Sequence, residues 1–540
     1  MPNETVCELA NSQSTCNCFE SPLQSNISVV KSQQTGRCAI YNGKVPLKAG
    51  HVIMRNLPMA TQLFPSNRNE FCSYCLSTKS SLLRCSSCKM VWYCSKECQS
   101  IDWKKSGGHF LECSFFRFIL TSNTDWDNEA IQDMCLFIRT WWYLGQHEVC
   151  QQIGSSHSET KLIQCGHAHW LLMGEDLLLD QQANNKYKQM SMFLEKFIQV
   201  TTDTALKKRH PINSSSIMSF WRKFHSNNFS IFNSVLTSFA AGVYPYAALL
   251  NHSCAPNCIV RYQIQSKERP ILEIVAAKDI QIGDELCHSY IDIIQGLNRG
   301  TGKILNEQYG WPSCGCSICR YPKSNGQSTN VIFFLDEETA AQTEHPWLNP
   351  FAWENTKFQK MNSIPKVLDK SFYLSQSVKE SFQKEILQKI DLLLADATKC
   401  AYCDDQPELE LQYIQRAYDI YTDNNLPPLG PQMYQILSRM LAPQLLLQNF
   451  SNALSTCQHL IACLCCAIQQ IANLSKNNEE NDTIEYFHPL LGVQLFTLAD
   501  LYEGNGRTSD ATRAYQWSRR ILRVTHGPTS ELIQRLDSFL

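Results

Sequence analysis

Two groups of residues in this chain have types and spacings that could do chemistry, and both are rich in cysteine. The first group consists of seven thiols and one imidazole: Cys72, Cys75, Cys85, Cys88, Cys94, Cys98, His109 and Cys113. Eight such ligands fill two tetrahedral zinc sites and leave no open coordination position, which is typical of structural zinc. A segment this short cannot build an adequate core alone, and zinc contributes on the order of 10–16 kcal/mol in finger peptides. We therefore expect this metal to hold a fold and to take no part in a reaction.

The second group combines a polar pair with a later tyrosine and further thiols. Asn251 and His252 follow an apolar run, and Tyr290 follows a predicted strand. Four thiols come from two distant segments: Cys254, Cys314, Cys316 and Cys319. A buried polar pair alone is more often a satisfied hydrogen-bond cluster than a ligand site. The functional interpretation therefore depends on the whole set.

The composition limits the class of protein and the cellular environment to which these residues can belong. The formal net charge of −2 over 540 residues gives no indication of global affinity for nucleic acid or membrane. The apolar run Leu460–Ile471 is too short to span a bilayer, and Met1–Gln13 has no signal-peptide pattern. We expect a soluble protein of the cytoplasm and nucleus. In that reducing environment, 26 cysteines with paired spacings favour zinc over disulfides.

Strand-rich and helical stretches alternate along the chain. Short strands are predicted between Val29 and Pro58 and between Asn228 and Tyr290, and helices are predicted over 127–205. After a polar linker at 321–330, nearly all of the sequence has a helical pattern. The stretch Leu498–Tyr515 resembles a tetratricopeptide-type helix pair. These patterns predict an α+β protein with an all-helical C-terminal region.

The cysteine array and the Tyr93–Ser95 stretch resemble a MYND zinc finger. The order of Asn251–His252, Tyr290 and Tyr309–Cys319 resembles SET-domain protein lysine methyltransferases. Together with the helical tail, the chain resembles the SET-and-MYND (SMYD) family, in the subgroup with a TPR-like C-terminal domain. The resemblance implies a β-rich SET fold that is split by the finger.

The resemblance also implies a division of the chain into domains. The implied segments are a disordered extension at 1–27, the N-terminal part of the SET domain at 28–71, the finger at 72–113, insertion helices and the catalytic SET core at 114–295, a post-SET zinc segment at 296–325 and the TPR-like domain at 326–540.

Three structural zinc ions are implied. Within the finger the ligand pairs would interleave, with Cys72, Cys75, Cys94 and Cys98 at one zinc and Cys85, Cys88, His109 and Cys113 at the other. A third zinc would be bound by Cys254, Cys314, Cys316 and Cys319.

The implied activity is that of an S-adenosylmethionine-dependent protein-lysine N-methyltransferase. The cofactor would be bound by Gly36, Arg37, Asn251, His252, Tyr290 and Trp311, and the lysine channel would be formed by Phe229, Tyr290 and Tyr309. Tyr290 would be the catalytic residue, because a phenol at the end of the channel can hydrogen-bond the amine and steer its lone pair.

The resemblance implies a protein substrate, either a histone tail or a cytosolic protein, and proline-containing peptides as ligands of the finger. Residues 68–117 hold eight Lys/Arg against four Asp/Glu, so weak nucleic-acid contact by the finger stays open. We expect a monomer and no membrane partner.

One departure from the family pattern leaves an alternative function open. The family's cofactor loop is usually Gly-x-Gly, whereas this chain has Gly36, Arg37 and Cys38. The alternative is a non-catalytic adaptor that binds peptide partners through its finger and helical repeats.

Overall fold

The structure is a computed structural model, and it describes these residues: 26–32, 36–105, 108–122, 124–146, 181–201, 207, 212–292, 304–306, 309, 311, 314–316, 319, 377–401, 406–424, 426, 430–474 and 487–540. The chain divides into two compact units. The first contains Met1–His288 and Ile304–Ser313, and the second contains Ser289–Lys303 and Cys314–Leu540. The predicted linker at 321–330 and nearly all of the predicted extension at 1–27 lie outside the described residues.

The strands of the first unit are short. They are β1 (Ile27–Ser32), β2 (Gly36–Tyr41), β3 (Val52–Asn56), β4 (Ala60–Leu63), β5 (Leu83–Arg84), β6 (Trp92–Tyr93), β7 (Asn228–Phe232), β8 (Ser238–Val243), β9 (Asn251–His252), β10 (Cys258–Gln263), β11 (Ile271–Ala276) and β12 (Cys287–His288). The strand predicted before Tyr290 is therefore confined to two residues.

The strands form small sheets, and their buried side chains belong to two apolar clusters. Antiparallel sheets run in the order β10-β11-β3 and β4-β8-β7, and β1 pairs with β2. Strand β9 pairs with β12 in parallel, so that Asn251 lies beside Cys287 and His252 lies beside His288. The bridge between Ile40 and Glu285 brings β2 next to the segment that leads into β12. This pairing places residues of three distant segments side by side.

The finger segment, residues 72–113, lies between strands β4 and β7 in the sequence and is followed by helices before β7 begins. It contains the hairpin β5-β6, helix α1 (Lys96–Ser100), a π-helical turn (Ile101–Lys105) and the start of helix α2 (His109–Thr121). The Ser95 side chain caps α1 by accepting a hydrogen bond from the Cys98 backbone N–H at 3.1 Å. The seven cysteines of the finger segment are buried in the same cluster as the aromatic side chains of the neighbouring helices.

The described part of the first unit contains three further helices: α3 (Asn128–Gln146), α4 (Gln181–Val200) and α5 (Ser214–His225). The prediction of helices over 127–205 is confirmed in the described part of that range. Their apolar faces bury large rings, among them Phe137 of α3 and Trp221 of α5, whose centroids lie 5.4 Å apart. Asn213 and Ser216 form a reciprocal capping box at the start of α5.

The described residues of the second unit are almost entirely helical. Its helices are α6 (Ser377–Lys399), α7 (Pro407–Asp423), α8 (Pro431–Leu446), α9 (Phe450–Leu474), α10 (Pro489–Gly504), α11 (Thr508–Thr525) and α12 (Glu531–Phe539). The predicted helix pair is confirmed as α10 and α11, which cross closely at Gly492, where the Ser518 hydroxyl donates to the Gly492 carbonyl at 2.8 Å. The predicted α+β class with an all-helical C-terminal region is confirmed.

No helix in the described part of the chain is both long enough and apolar enough to cross a membrane.

Candidate cofactor and metal sites

The first finger site brings together the thiols of Cys72, Cys75, Cys94 and Cys98. Their sulfur atoms all lie within 4.8 Å of one another, and all four residues are buried. The pKa of Cys75 is lowered to about 4, chiefly because the Cys72 thiol donates a hydrogen bond to it. A thiol that ionises readily suits a metal site, because the thiolate is the form that binds metal.

The second finger site brings together Cys85, Cys88, His109 and Cys113, again buried and within 4.8 Å of one another. His109 opens helix α2, and its Nε2 atom lies 3.8 Å from Cys88 Sγ. The pKa of Cys113 is lowered to about 3, chiefly by a hydrogen bond from Cys88. Both groups are the interleaved sets that the sequence predicted, and their donor types support zinc binding.

A further thiol cluster lies in the second unit. The sulfur atoms of Cys314, Cys316 and Cys319 are within 4.8 Å of one another. Three thiols at this spacing suit zinc as well. Cys254 belongs to the first unit, and its role as the fourth ligand stays a prediction.

The predicted cofactor residues Arg37 and Asn251 are in direct contact. The Asn251 side-chain Nδ2 donates to the Arg37 backbone carbonyl at 2.6 Å and to Glu285 Oε1 at 2.8 Å. The Arg37 guanidinium donates to the Ala248 carbonyl at 3.4 Å. Arg37 is 7% exposed and Asn251 is 9% exposed, so this polar cluster is buried. Gly36 precedes Arg37 at the start of β2.

His252 and Trp311 are also neighbours within the first unit. Their ring centroids are 6.4 Å apart in an edge-to-face arrangement. The Trp311 backbone N–H donates to the Leu305 carbonyl at 3.1 Å. The His252 Nε2 atom also lies 3.3 Å from Cys254 Sγ. The His252 side chain thus faces a thiol and an indole ring.

Phe229 of β7 lies among aromatic rings. It stacks on His288 with centroids 5.6 Å apart and meets Tyr244 edge to face at 6.0 Å. Burial raises the pKa of the Tyr309 phenol, another predicted channel residue. Tyr290 is partly buried just beyond β12 and belongs to the second unit.

Sequence reasoning gave no role to Glu285, although its carboxylate accepts from Asn251. The neighbouring Asn257 completes the arrangement, because its Nδ2 donates to the Glu285 carbonyl at 2.9 Å and its Oδ1 accepts from the Cys287 N–H at 2.9 Å. An acidic residue that follows Gly283 and Asp284 has the pattern of a solvated turn. The bridge between Glu285 and Ile40 of β2 distinguishes Glu285 from a solvated turn residue, and this bridge joins residues that are far apart in the sequence.

Comparison with known proteins shows which family model and which proteins this chain resembles. Residues 72–113 match the family described as the MYND finger. The chain is 26% identical over 275 residues to mouse (Mus musculus) histone-lysine N-methyltransferase SMYD3, a match covering 51% of this chain and 57% of that protein. It is 24% identical to Xenopus laevis N-lysine methyltransferase SMYD2-A over 257 residues, covering 48% of this chain and 52% of that protein. Human (Homo sapiens) N-lysine methyltransferase SMYD2 is 26% identical over 281 residues, a match covering 51% of this chain and 56% of that protein.

The chain thus spans a little over half the length of the curated relatives it matches. A zinc finger set into a mixed sheet-and-helix unit, with similarity to lysine methyltransferases, supports a protein of a methyltransferase family. The MYND finger and the similarity to SMYD3 and SMYD2 together support its assignment to the SMYD family.

Proposed function

We propose that this protein is an S-adenosylmethionine-dependent protein-lysine N-methyltransferase. The observation that carries the proposal is the contact of Asn251 with Arg37 and Glu285, which gathers predicted cofactor residues from distant segments into one buried polar cluster. Buried polar groups are costly unless they are hydrogen-bonded, so a cluster of this kind has a structural or binding purpose.

The residues present fit the proposed cofactor. Arg37 and Asn251 offer a cation, an amide and backbone groups, which suit the amino and carboxylate groups of a methionyl moiety. His252, 4% exposed beside Trp311, offers backbone groups next to an aromatic ring, which suit an adenosyl moiety. Bound S-adenosylmethionine would supply an electrophilic methyl group on sulfonium.

The remaining site residues would act on the lysine. A lysine amine attacks only when it has lost its proton, and an apolar, aromatic environment favours the uncharged form by desolvation. Phe229 and Tyr309 would line such a channel. The Tyr290 phenol oxygen would accept a hydrogen bond from an N–H of the amine and so align the amine's lone pair with the methyl group.

Protein lysines are the proposed substrates, on histones, on cytosolic proteins or on both. The relatives' printed names describe SMYD3 as a histone-lysine methyltransferase and SMYD2 as an N-lysine methyltransferase. We propose proline-containing peptides as partners of the finger, and the nucleus and cytoplasm as the places of action.

A non-catalytic adaptor is the second candidate, and the position of Cys38 favours it. Cys38 lies in β2 opposite Val30, where the family's loop usually has glycine, and its side chain is buried. Burial, with a smaller effect of the Glu285 charge, raises the pKa of this thiol. A bulkier residue here would lower the affinity for a cofactor bound against the loop.

The test uses the zinc-loaded full chain and radiolabelled S-adenosylmethionine on a protein and peptide array, with mass spectrometry of the labelled products. The proposal predicts label on lysine side chains. In parallel, S-adenosylhomocysteine at 100 times its dissociation constant should stabilise the protein by roughly 2.7 kcal/mol. Absence of both label and stabilisation would favour the adaptor.

A further inference from the structure

A buried network of charged side chains surrounds Arg139 of helix α3. Its guanidinium donates to Asp102 Oδ1 at 2.8 Å from Nη1 and to Glu112 Oε2 at 2.7 Å from Nη2. A second pair of bonds joins Nη2 to Asp102 Oδ2 at 3.1 Å and Nε to Glu112 Oε1 at 3.2 Å. Arg139 is 4% exposed, Asp102 is 1% exposed and Glu112 is 0% exposed. One cation therefore bridges two carboxylates away from water.

The network ends on a ligand of the second finger site. Glu112 Oε2 lies 2.6 Å from His109 Nδ1, whereas the Nε2 atom of the same ring faces the Cys88 thiol. A histidine that binds metal through Nε2 carries its proton on Nδ1 and can donate it to Glu112. Such a carboxylate fixes the tautomer and the orientation of the ring and raises its basicity toward metal.

The other end of the network also reaches the finger. The Tyr93 hydroxyl, on strand β6, donates to Asp102 Oδ2 at 2.8 Å. Asp102 lies in the π-helical turn, Glu112 in α2 and Arg139 in α3, so the partners come from separate elements. Burying these charges is favourable only when each is paired, and removing one partner of a buried ion pair typically costs about 3–5 kcal/mol. The network is thus satisfied only when the finger and α3 are held in this arrangement.

We propose that Glu112 is a positioning residue for His109 as a zinc ligand, and that Arg139 couples zinc at the second finger site to helix α3. Zinc at that site would order the His109 ring and, through Glu112 and Arg139, stabilise α3. In the reverse direction, an intact α3 would slow the release of that zinc. This inference depends on zinc in the finger and not on methyl transfer.

The first test measures zinc release from the full chain to the chelating dye 4-(2-pyridylazo)resorcinol. We expect Glu112→Ala to weaken zinc binding at one site about 10–100-fold, seen as one zinc per chain that is released faster. Glu112→Gln keeps an acceptor for the Nδ1 proton, so it should partly restore the slow release. Glu97→Ala removes an exposed carboxylate of the same finger, which forms an ion pair with Lys267. This variant should release zinc as the wild type does.

Two results would overturn the positioning role. One is wild-type release kinetics in both Glu112 variants. The other is equal acceleration of every zinc in the chain, because that pattern reports general unfolding. Glu112→Gln is close in shape to the native residue, so it keeps the test decisive if Glu112→Ala does not fold.

The second test measures the coupling by hydrogen exchange of peptides from 128–146, with and without chelator. In the wild type, removal of zinc should increase exchange in α3. In Arg139→Met this zinc-dependent difference should shrink markedly, because the connection to Glu112 is absent. Peptides from 489–525 in the second unit serve as an internal reference. Equal zinc dependence of α3 exchange in both proteins would contradict the coupling.

Discussion

The side-chain amide of Asn251 donates a hydrogen bond to the backbone carbonyl of Arg37 at 2.6 Å, and this contact joins segments that are 214 positions apart in the chain. The same amide reaches Glu285, which is held beside β2 by the bridge to Ile40. A buried amide with both N–H groups satisfied has a fixed orientation. The cluster is therefore preorganised, as a site that must orient a small cofactor needs to be.

The Tyr290 hydroxyl is expected to act in methyl transfer, whereas contacts of the Tyr290 ring with the cofactor are kept when only the hydroxyl is removed. Tyr290→Phe removes only the hydroxyl, so the rate of transfer should fall about 100-fold or more while the affinity for S-adenosylhomocysteine stays the same. Single-turnover transfer and calorimetric titration measure the two quantities. Tyr418→Phe, the same change on helix α7, should leave both unchanged. Wild-type turnover in Tyr290→Phe would refute the catalytic assignment.

Cys316 is expected to bind zinc together with Cys314 and Cys319. Cys316→Ser should lower the zinc content of the purified chain by one ion, from three to two, as measured by inductively coupled plasma mass spectrometry. Cys465→Ser changes a thiol of helix α9 outside any cluster that the structure describes, and it should retain full zinc content. A Cys316→Ser chain that still holds three zinc ions would show that Cys316 is not needed to bind zinc.

Asp133 of helix α3 gives a pH dependence to stability. Burial, together with the negative charges of Glu129 and Asp127, raises the pKa of its carboxyl to about 7 against the opposing charge of Lys186. In the unfolded state the pKa of an aspartate is about 4. Between pH 4 and pH 7 the folded state therefore binds more protons than the unfolded state, and the free energy of unfolding falls as the pH rises. From pH 5.5 to 8 the loss should be on the order of 2 kcal/mol.

Asp133→Asn should remove this dependence, because an amide does not titrate. Chemical denaturation of both proteins at pH 5.5 and pH 8 measures it. The free energy of unfolding of the wild type should fall more than that of the variant over this interval. Identical losses in the two proteins would show that Asp133 does not hold its proton in the folded state.

The finger could be predicted from sequence because its information is local. Pairs such as Cys72 and Cys75 lie at spacings that zinc geometry demands, and the structure groups them as expected. Strand β11 was also predictable, since Ile271–Ala276 is rich in β-branched residues, with Glu273 as its one charged residue. The structure forms the strand over the same residues.

The charged network and Glu285 could not be predicted in this way. Charged residues on helices are usually solvated, and nothing near Arg139 in sequence indicates that Asp102 and Glu112 enclose it. The contacts of Glu285 likewise depend on its bridge to Ile40, a residue far away in the sequence. Such sites depend on contacts between residues that are far apart in the sequence, and the local spacing of residues does not reveal those contacts.

Calorimetric titration of S-adenosylmethionine into the zinc-loaded full chain measures cofactor binding without a substrate protein. We expect the wild type to bind one cofactor per chain, and Asn251→Ala to bind it about 10–100-fold more weakly, because this variant loses buried hydrogen bonds. Asn424→Ala, at the end of helix α7, should bind as the wild type does. Absence of binding by the wild type, or equal affinity in the wild type and Asn251→Ala, would show that the polar cluster around Asn251 does not bind this cofactor.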